Sequence, residues 1–233
     1  DRRDWPRVLA LSVPWVGVPF SLFPIAQQYV DSAVAGMING AVPIFATVIA
    51  TMMLRRLPRG AQAIGLVIGF AGVTMMSAAS GAGGGSRAWG VAMLLVATVG
   101  YGLSVNIVTP LTQRYGSLPV MVRILAVGTV WTAPYGIYGL GESSFAWAPV
   151  LAVAAAGIVG TGLAFVLMGM LVGRVGSTRG AFTTYLIPVV ALFLGVAFRG
   201  DVVSWVAVAG VVLVIAGAIL ASRREAATVR TTR

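Results

Sequence analysis

The chain has 233 residues, 58% of them hydrophobic, with 16 basic and 6 acidic side chains, a formal net charge of +10 and a mean hydropathy of +0.95. Only 9% of its residues are charged, against about 25% in soluble domains, which excludes disorder and argues against a soluble globular fold. There is no Cys and no His, so disulfide frameworks, thiol catalysis, zinc sites and histidine acid–base chemistry are excluded as well.

A membrane-spanning helix needs roughly 20 mostly apolar residues. Charged and turn-forming residues cut the chain into eight such stretches: 8–28, 34–54, 61–78, 88–110, 119–139, 149–171, 178–198 and 203–221. They are rich in Val, Leu, Ala, Ile and Gly without strict alternation, so they read as helices and not as barrel strands. Arg55, Arg56, Leu57, Pro58 and Arg59 form a charged stop, and Gly81 to Ser86 a flexible Gly-rich connector. Polar turns are expected at Gly141, Glu142 and Ser143, and at Arg199, Gly200 and Asp201. No small-residue cleavage site follows the first span, which therefore does not read as a signal peptide. The expected fold class is an all-α integral membrane bundle of about eight visible helices.

Every basic residue is an arginine, and their placement sets the expected orientation. Arg2, Arg3, Arg7, Arg55, Arg56, Arg59, Arg114, Arg123, Arg174, Arg179, Arg223, Arg224, Arg230 and Arg233 fall on one side, and only Arg87 and Arg199 on the other. That asymmetry predicts a multi-pass protein of the cell (inner) membrane with both visible termini cytoplasmic. It accounts for the basic balance without nucleic acid, because no basic stripe interleaves with stacking aromatics. The lipid bilayer is the expected partner.

Sliding the chain against itself by 145 positions aligns residues 8–75 with 153–220 without gaps. Identical pairs include Val8 and Val153, Gly17 and Gly162, Phe20 and Phe165, Ser32 and Ser177, Pro43 and Pro188, Gly65 and Gly210, and Gly72 and Gly217. The shift carries the first span onto the sixth, so one repeat holds five spans. An odd number inverts the second copy, the architecture in which transporter sites lie at the membrane midplane between copies. Residues 1–80 then form a first repeat with only three helices, 81–87 a connector, 88–222 a complete five-helix repeat, and 223–233 a basic cytoplasmic tail. The expectation is a ten-helix, 5+5 inverted-repeat fold from which the first two helices are absent.

The stretch from Gln28 to Ser77 carries a small-residue helix start, a proline in mid-span, a charged turn, and a helix of the form GxxxGxxGV at Gly65, Gly69, Gly72 and Val73. The second copy repeats the pattern with Pro188, Gly210 and Gly217. In this order and spacing the chain resembles the EamA-like family of the drug/metabolite transporter superfamily, over essentially its whole length. It departs from the family pattern in two places. Arg55 and Arg56 stand where an acidic residue usually sits beside a basic one, and Tyr101 and Gly102 replace a frequent Trp-Ala pair. The resemblance implies export or facilitated passage of small organic metabolites, such as amino acids or drug-like compounds, by alternating access. It implies no enzyme activity and no cofactor. A lipid-carrier flippase or a non-transporting structural or regulatory subunit are the alternatives, and a homodimer is left open.

Pro43 and Pro188 are the most informative positions, since each frees the carbonyl four residues earlier, at Asn39 and Thr184. The pair reads either as two broken helices lining a substrate pathway or as kinks between helices packed through small residues. Tyr185 accompanies Thr184 on the second stripe. Tyr101 and Asn106 are the polar candidates of the 88–110 span, with an interhelical hydrogen bond as the alternative for Asn106. Thr161 sits between Gly160 and Gly162, where a cavity or a bond to its own helix are both open. Trp15 and Phe20 supply aromatic walls, or else core and lipid contacts. Trp131, Tyr135 and Tyr138 read as an interfacial aromatic belt, and Arg123 as a snorkelling side chain or an anion site. No carboxylate falls inside a span, and there is no P-loop or metal-ligating cluster.

Overall fold

The computed structural model describes residues 4–30, 32–55, 60–79, 88–139, 145–194, 196–197 and 204–223. Most of the charged stop after Arg55, the 81–87 connector, the two polar turns, Asp31 and the basic tail beyond Arg223 lie outside these residues. Each of the eight apolar stretches is helical, and no strand occurs among the described residues. Among the described residues four helices are long and apolar enough to cross a membrane, Trp5–Ala26, Ala88–Tyr115, Ser117–Pro134 and Trp147–Val175; Val42–Leu54, Gly60–Met75 and Trp205–Leu220 are shorter apolar helices.

The first helix, α1 (Trp5–Ala26), contains Pro14, Pro19 and Pro24 and relaxes into a π-helical stretch over Val13–Gly17. Pro14 has no N–H to give to Ala10, so the backbone there widens, and Val18 donates to Val13 five residues back. The next span is broken. Helix α2 (Ser32–Asn39) ends at Gly40 and Ala41, and α3 (Val42–Leu54) starts with Pro43 in its first turn. Pro43 is thus not a mid-helix kink: it opens a new helix, a position its fixed φ suits. Arg55 closes α3 in the left-handed region at φ 51°. Helix α4 (Gly60–Ala79) follows.

Helix α5 (Ala88–Tyr115) is the hub of the bundle. Gly116, at φ 79°, lets the chain turn directly into α6 (Ser117–Gly139). Helix α7 (Trp147–Val175) has its own π-helical stretch, Ala156–Leu163, and ends at Gly176 with φ 89°. The seventh span is broken like the second: α8 (Ser177–Ala181) passes through a 3₁₀ turn, Phe182–Tyr185, into α9 (Leu186–Leu194), which carries Pro188 near its start. Helix α10 (Trp205–Arg223) completes the order.

Lipid is as apolar as leucine, so helices here associate by close packing and a few hydrogen bonds rather than by expulsion of water. Glycines on α5 supply the close approaches: a Cβ on Gly100 would lie 2.6 Å from the Pro14 carbonyl oxygen, and one on Gly102 would lie 2.8 Å from the Ala46 nitrogen. Val8, Leu11, Trp15, Val42, Val105, Met121 and Val172 fill the centre of the bundle. A second core joins α4, the 3₁₀ turn and α10 through Leu66, Val73, Phe182, Tyr185 and Val214.

The α4–α10 seam has an internal symmetry. A Cβ on Gly72 would meet the Gly210 carbonyl oxygen at 2.6 Å and the Val214 nitrogen at 2.7 Å; one on Gly217 would meet the Gly65 carbonyl oxygen at 2.7 Å and the Gly69 nitrogen. Shifting every number by 145 turns the first pair of contacts into the second. By contrast α1 and α7, matched by the same shift, differ in cover: Val8 is 7% exposed against α5 and α6, while its counterpart Val153 is 72% exposed.

Candidate functional site

A cavity of about 290 Å³ opens between α1, the α2–α3 break, α5, α7 and the 3₁₀ turn, at the small end of ligand pockets, roughly 300–1,000 Å³. Trp15, Asn39, Val42, Tyr101, Val105, Ala164, Phe165, Met168, Thr183, Thr184 and Ile187 line it. The two broken spans bring polar groups to its wall because a helix that stops in mid-membrane needs polar or protein cover for its ends. Thr183 donates its hydroxyl to Gly180 O at 2.7 Å and Thr184 to Ala181 O at 2.8 Å, so both hydroxyl protons are committed and both oxygens keep acceptor capacity. Asn39 Oδ1 is buried without a hydrogen-bond partner among the described residues. The aromatic part of the wall is continuous: Trp15 packs on Phe165 at 5.4 Å between centroids, Phe20 meets Phe165 edge-on at 6.1 Å, and Phe23 lies 6.2 Å from Tyr101. Among the described residues no arginine lines the cavity.

Of the sequence candidates, Trp15, Asn39, Tyr101 and Thr184 converge on this cavity. Phe20 stands behind Phe165, not in the wall. Pro43 lies one residue beyond the lining Val42, buried in the first turn of α3, and Pro188 one beyond Ile187 in α9. Thr161 is in the π-helical stretch of α7, about one turn before the lining Ala164 and Phe165, and is not itself among the lining residues. Asn106 and Tyr185 face other helices. Asn106 donates to Ala46 O at 2.9 Å and Gly102 O at 2.8 Å and accepts from the Ser177 hydroxyl at 2.7 Å, tying α3, α5 and α8 together. Tyr185 is fully buried against Gly69 and donates to Leu66 O at 3.0 Å.

Sequence reasoning missed Phe165, Thr183, Met168 and the aliphatic lining. Phe165 carried a signal, since it is the repeat mate of Phe20. So did Val42 and Ile187, which are repeat mates of each other, as are Asn39 and Thr184.

A second hollow of about 220 Å³ lies where α1 starts and α5 ends, lined by Asp4, Trp5, Val8, Leu111, Tyr115, Pro119, Val120 and Arg123. Asp4 accepts the Tyr115 hydroxyl and pairs with Arg7 at 3.0 Å and Arg114 at 3.3 Å. The Tyr115 hydrogen bond, with help from Arg114 and Arg7, holds its carboxyl below the usual 3.8 against the opposing effect of burial. Arg123 donates to Pro119 O at 2.6 Å in its own helix and is exposed, in keeping with a snorkelling role.

Apolar helices of membrane-spanning length, broken spans and an uncharged central cavity define a multi-pass membrane protein of the transporter class. The chain belongs to the EamA-like transporter family, whose sequence model matches residues 1–78 and 88–223. It is 28% identical over 226 residues to a probable terminal-alkyne amino-acid exporter of Streptantibioticus cattleyicolor, covering 95% of this chain and 74% of that protein. An uncharacterized transporter of Archaeoglobus fulgidus is 24% identical over 96% of this chain and 79% of its own length. The uncharacterized inner membrane transporter YedA of Escherichia coli is 26% identical over 81% of this chain and 62% of its own length. A solved crystal structure superimposes with a TM-score of 0.78 at 20% identity, over 94% of this chain and 76% of that one, and so shares the fold.

Proposed function

We propose that this protein carries small organic metabolites, amino acids or drug-like compounds among them, across the inner membrane as an exporter or facilitator. The mechanism is rocking of two inverted repeats about the central cavity. The observation that carries this reading is the cavity wall itself: Asn39 with Thr184, and Val42 with Ile187, are equivalent positions of the two copies, and they meet around one hollow. A site on the axis between copies is where alternating access needs it, because either copy can open its own side. The reciprocal glycine contacts of α4 and α10 support the same two-fold relation. The name of the S. cattleyicolor relative supports amino-acid-like cargo.

Within this reading the first copy spans residues 1–80 and the second 88–222, with both visible termini cytoplasmic.

The test of transport is flux in proteoliposomes, using a panel of labelled neutral amino acids. Saturable uptake is expected. Filling the cavity by Val42→Trp or Thr184→Trp should abolish it, while Leu151→Trp on the exposed face of α7 should leave it intact. Flux that survives both cavity-filling changes, or no flux of any compound, would refute the reading.

A further inference from the structure

We infer that Asp4 and Tyr115 form the latch of a gate, which holds the start of α1 on the end of α5 and keeps the second hollow apart from the central cavity; the gate rests on the transport reading above. The two hollows share two helix faces. On α1, Trp15 lines the central cavity and Val8 the second hollow; on α5, Val105 lines the first, and Leu111 and Tyr115 the second. Leu11 and Val108 come between them at helical spacings of three and four, line neither hollow, and are wholly buried in one apolar cluster. Val105 and Leu111 stand about 9 Å apart along α5, at 1.5 Å of rise per residue, so the plug that parts the two hollows is thin.

The part of α1 that carries Val8 and Leu11 is built to swing. The π-helical stretch Val13–Gly17 loosens the backbone just behind Leu11, and there the Trp131 indole N–H of α6 pins the Ser12 hydroxyl oxygen at 3.0 Å. From that pivot the segment Trp5–Ser12 runs out to Asp4, whose carboxylate accepts the Tyr115 hydroxyl of α5 although the residue is only 7% exposed. Arg7 and Arg114 complete the cluster, but their side chains are 65% and 61% exposed, so water screens both pairs and the hydroxyl bond carries most of the hold. Asp4 is also the point of the segment farthest from the pivot, where one bond restrains Val8 and Leu11 with the most leverage. Its release lets the segment tilt off the α5–α6 pair, draw Leu11 away from Val108 and join the two hollows into one passage.

The chain has no cysteine, so Val108→Cys places a single thiol in the plug. Its modification by a charged, water-borne methanethiosulfonate reagent is timed by mass spectrometry on the purified full chain in detergent, and the rate follows the fraction of molecules whose plug is open. Labelling should be slow beside that of the SDS-unfolded chain. Adding Asp4→Asn or Tyr115→Phe should raise the rate at least about tenfold, the lower end for loss of a hydrogen bond to a charged group. Tyr115→Phe keeps the ring and its packing, so it decides the question even if Asp4→Asn folds poorly. Arg114→Gln, which removes a screened pair, should raise the rate by no more than about fivefold. Gly217→Ala weakens the fold elsewhere, at the α4–α10 seam, and should leave the rate unchanged. Labelling of Val108→Cys alone as fast as in the unfolded chain would overturn the plug, and a rate that Tyr115→Phe raises no more than Gly217→Ala does would overturn the latch. Faster labelling in a protein that moves no solute would defeat only the transport reading; flux with labelling indifferent to Tyr115→Phe would defeat only this one.

Discussion

Replacing Gly217 by Ala adds one methyl group where α10 lies on α4. That methyl would stand 2.7 Å from the Gly65 carbonyl oxygen and 2.7 Å from Gly69 Cα, and closer still to the Gly69 nitrogen. All three are backbone atoms, so no rotamer change relieves the overlap. Ordinary contact begins at 3.4 Å, so the helices must part by more than about 0.7 Å, a gap that forfeits a quarter to a half of the dispersion energy between facing atoms. Overpacking of this kind costs about 1–3 kcal/mol, and the rigidity of the obstacle puts Gly217→Ala in the upper half of that range. At about 2–4 °C per kcal/mol for a chain of this size, the expected loss in apparent Tm is about 4–12 °C. Heating purified protein in detergent and following the surviving monodisperse peak by fluorescence-detected gel filtration measures it. Gly72→Ala should cost the same, because its contacts are the shifted images of those of Gly217. Gly160→Ala, with nothing within 4 Å of its new methyl, should cost nothing. Equal Tm values for Gly217→Ala and Gly160→Ala would refute the close-packed seam.

Asn106→Leu removes the acceptor of Ser177 and the side-chain donor to Ala46 O, and Tyr185→Phe removes the donor to Leu66 O. Each should lower Tm by a few degrees, as interhelical bonds in membranes contribute about 0.6–1.7 kcal/mol, with the KM for flux unchanged because neither side chain lines the cavity. The Asp4 carboxyl, held below 3.8, stabilises the fold at neutral pH, and this contribution is lost only as pH falls through its lowered native value. Asp4→Asn should therefore be less stable than wild type at pH 7, with the two thermal denaturation curves merging only when the buffer is taken below pH 3.8. A stability gap that closes already near pH 6 would exclude Asp4 as its source.

The spans were legible because twenty apolar residues between charges have few other uses. Their breaks were legible from proline: of the two readings, a broken span and a kinked one, the second span takes the first, with the Gly40–Ala41 break just ahead of Pro43. Trp15, Asn39, Tyr101 and Thr184 were found by the cost of polar or bulky aromatic groups in mid-membrane. The same criterion also picked out Asn106 and Tyr185, because one uncompensated polar group in a span can be satisfied equally by a cavity or by a neighbouring helix, and only the rotation of the helix decides. The aliphatic lining, such as Val105 and Ala164, was illegible on its own. A valine facing a hollow, a valine facing lipid and a valine facing another helix have the same chemistry.

The reciprocal seam between α4 and α10 bears differently on the two copies than the cavity does. At the seam Gly72 and Gly217 each rest on backbone atoms of the other helix, so enlarging either one demands that the two helices part. Two of the three shifted pairs there are identical, Gly65 with Gly210 and Gly72 with Gly217, while Gly69 corresponds to Val214. Around the hollow nothing imposes that equality: the shifted pairs Asn39 and Thr184, and Val42 and Ile187, line it with different side chains. Close backbone contact thus holds two shifted pairs to glycine at the α4–α10 seam, whereas the cavity wall lets its shifted pairs differ in polarity and size.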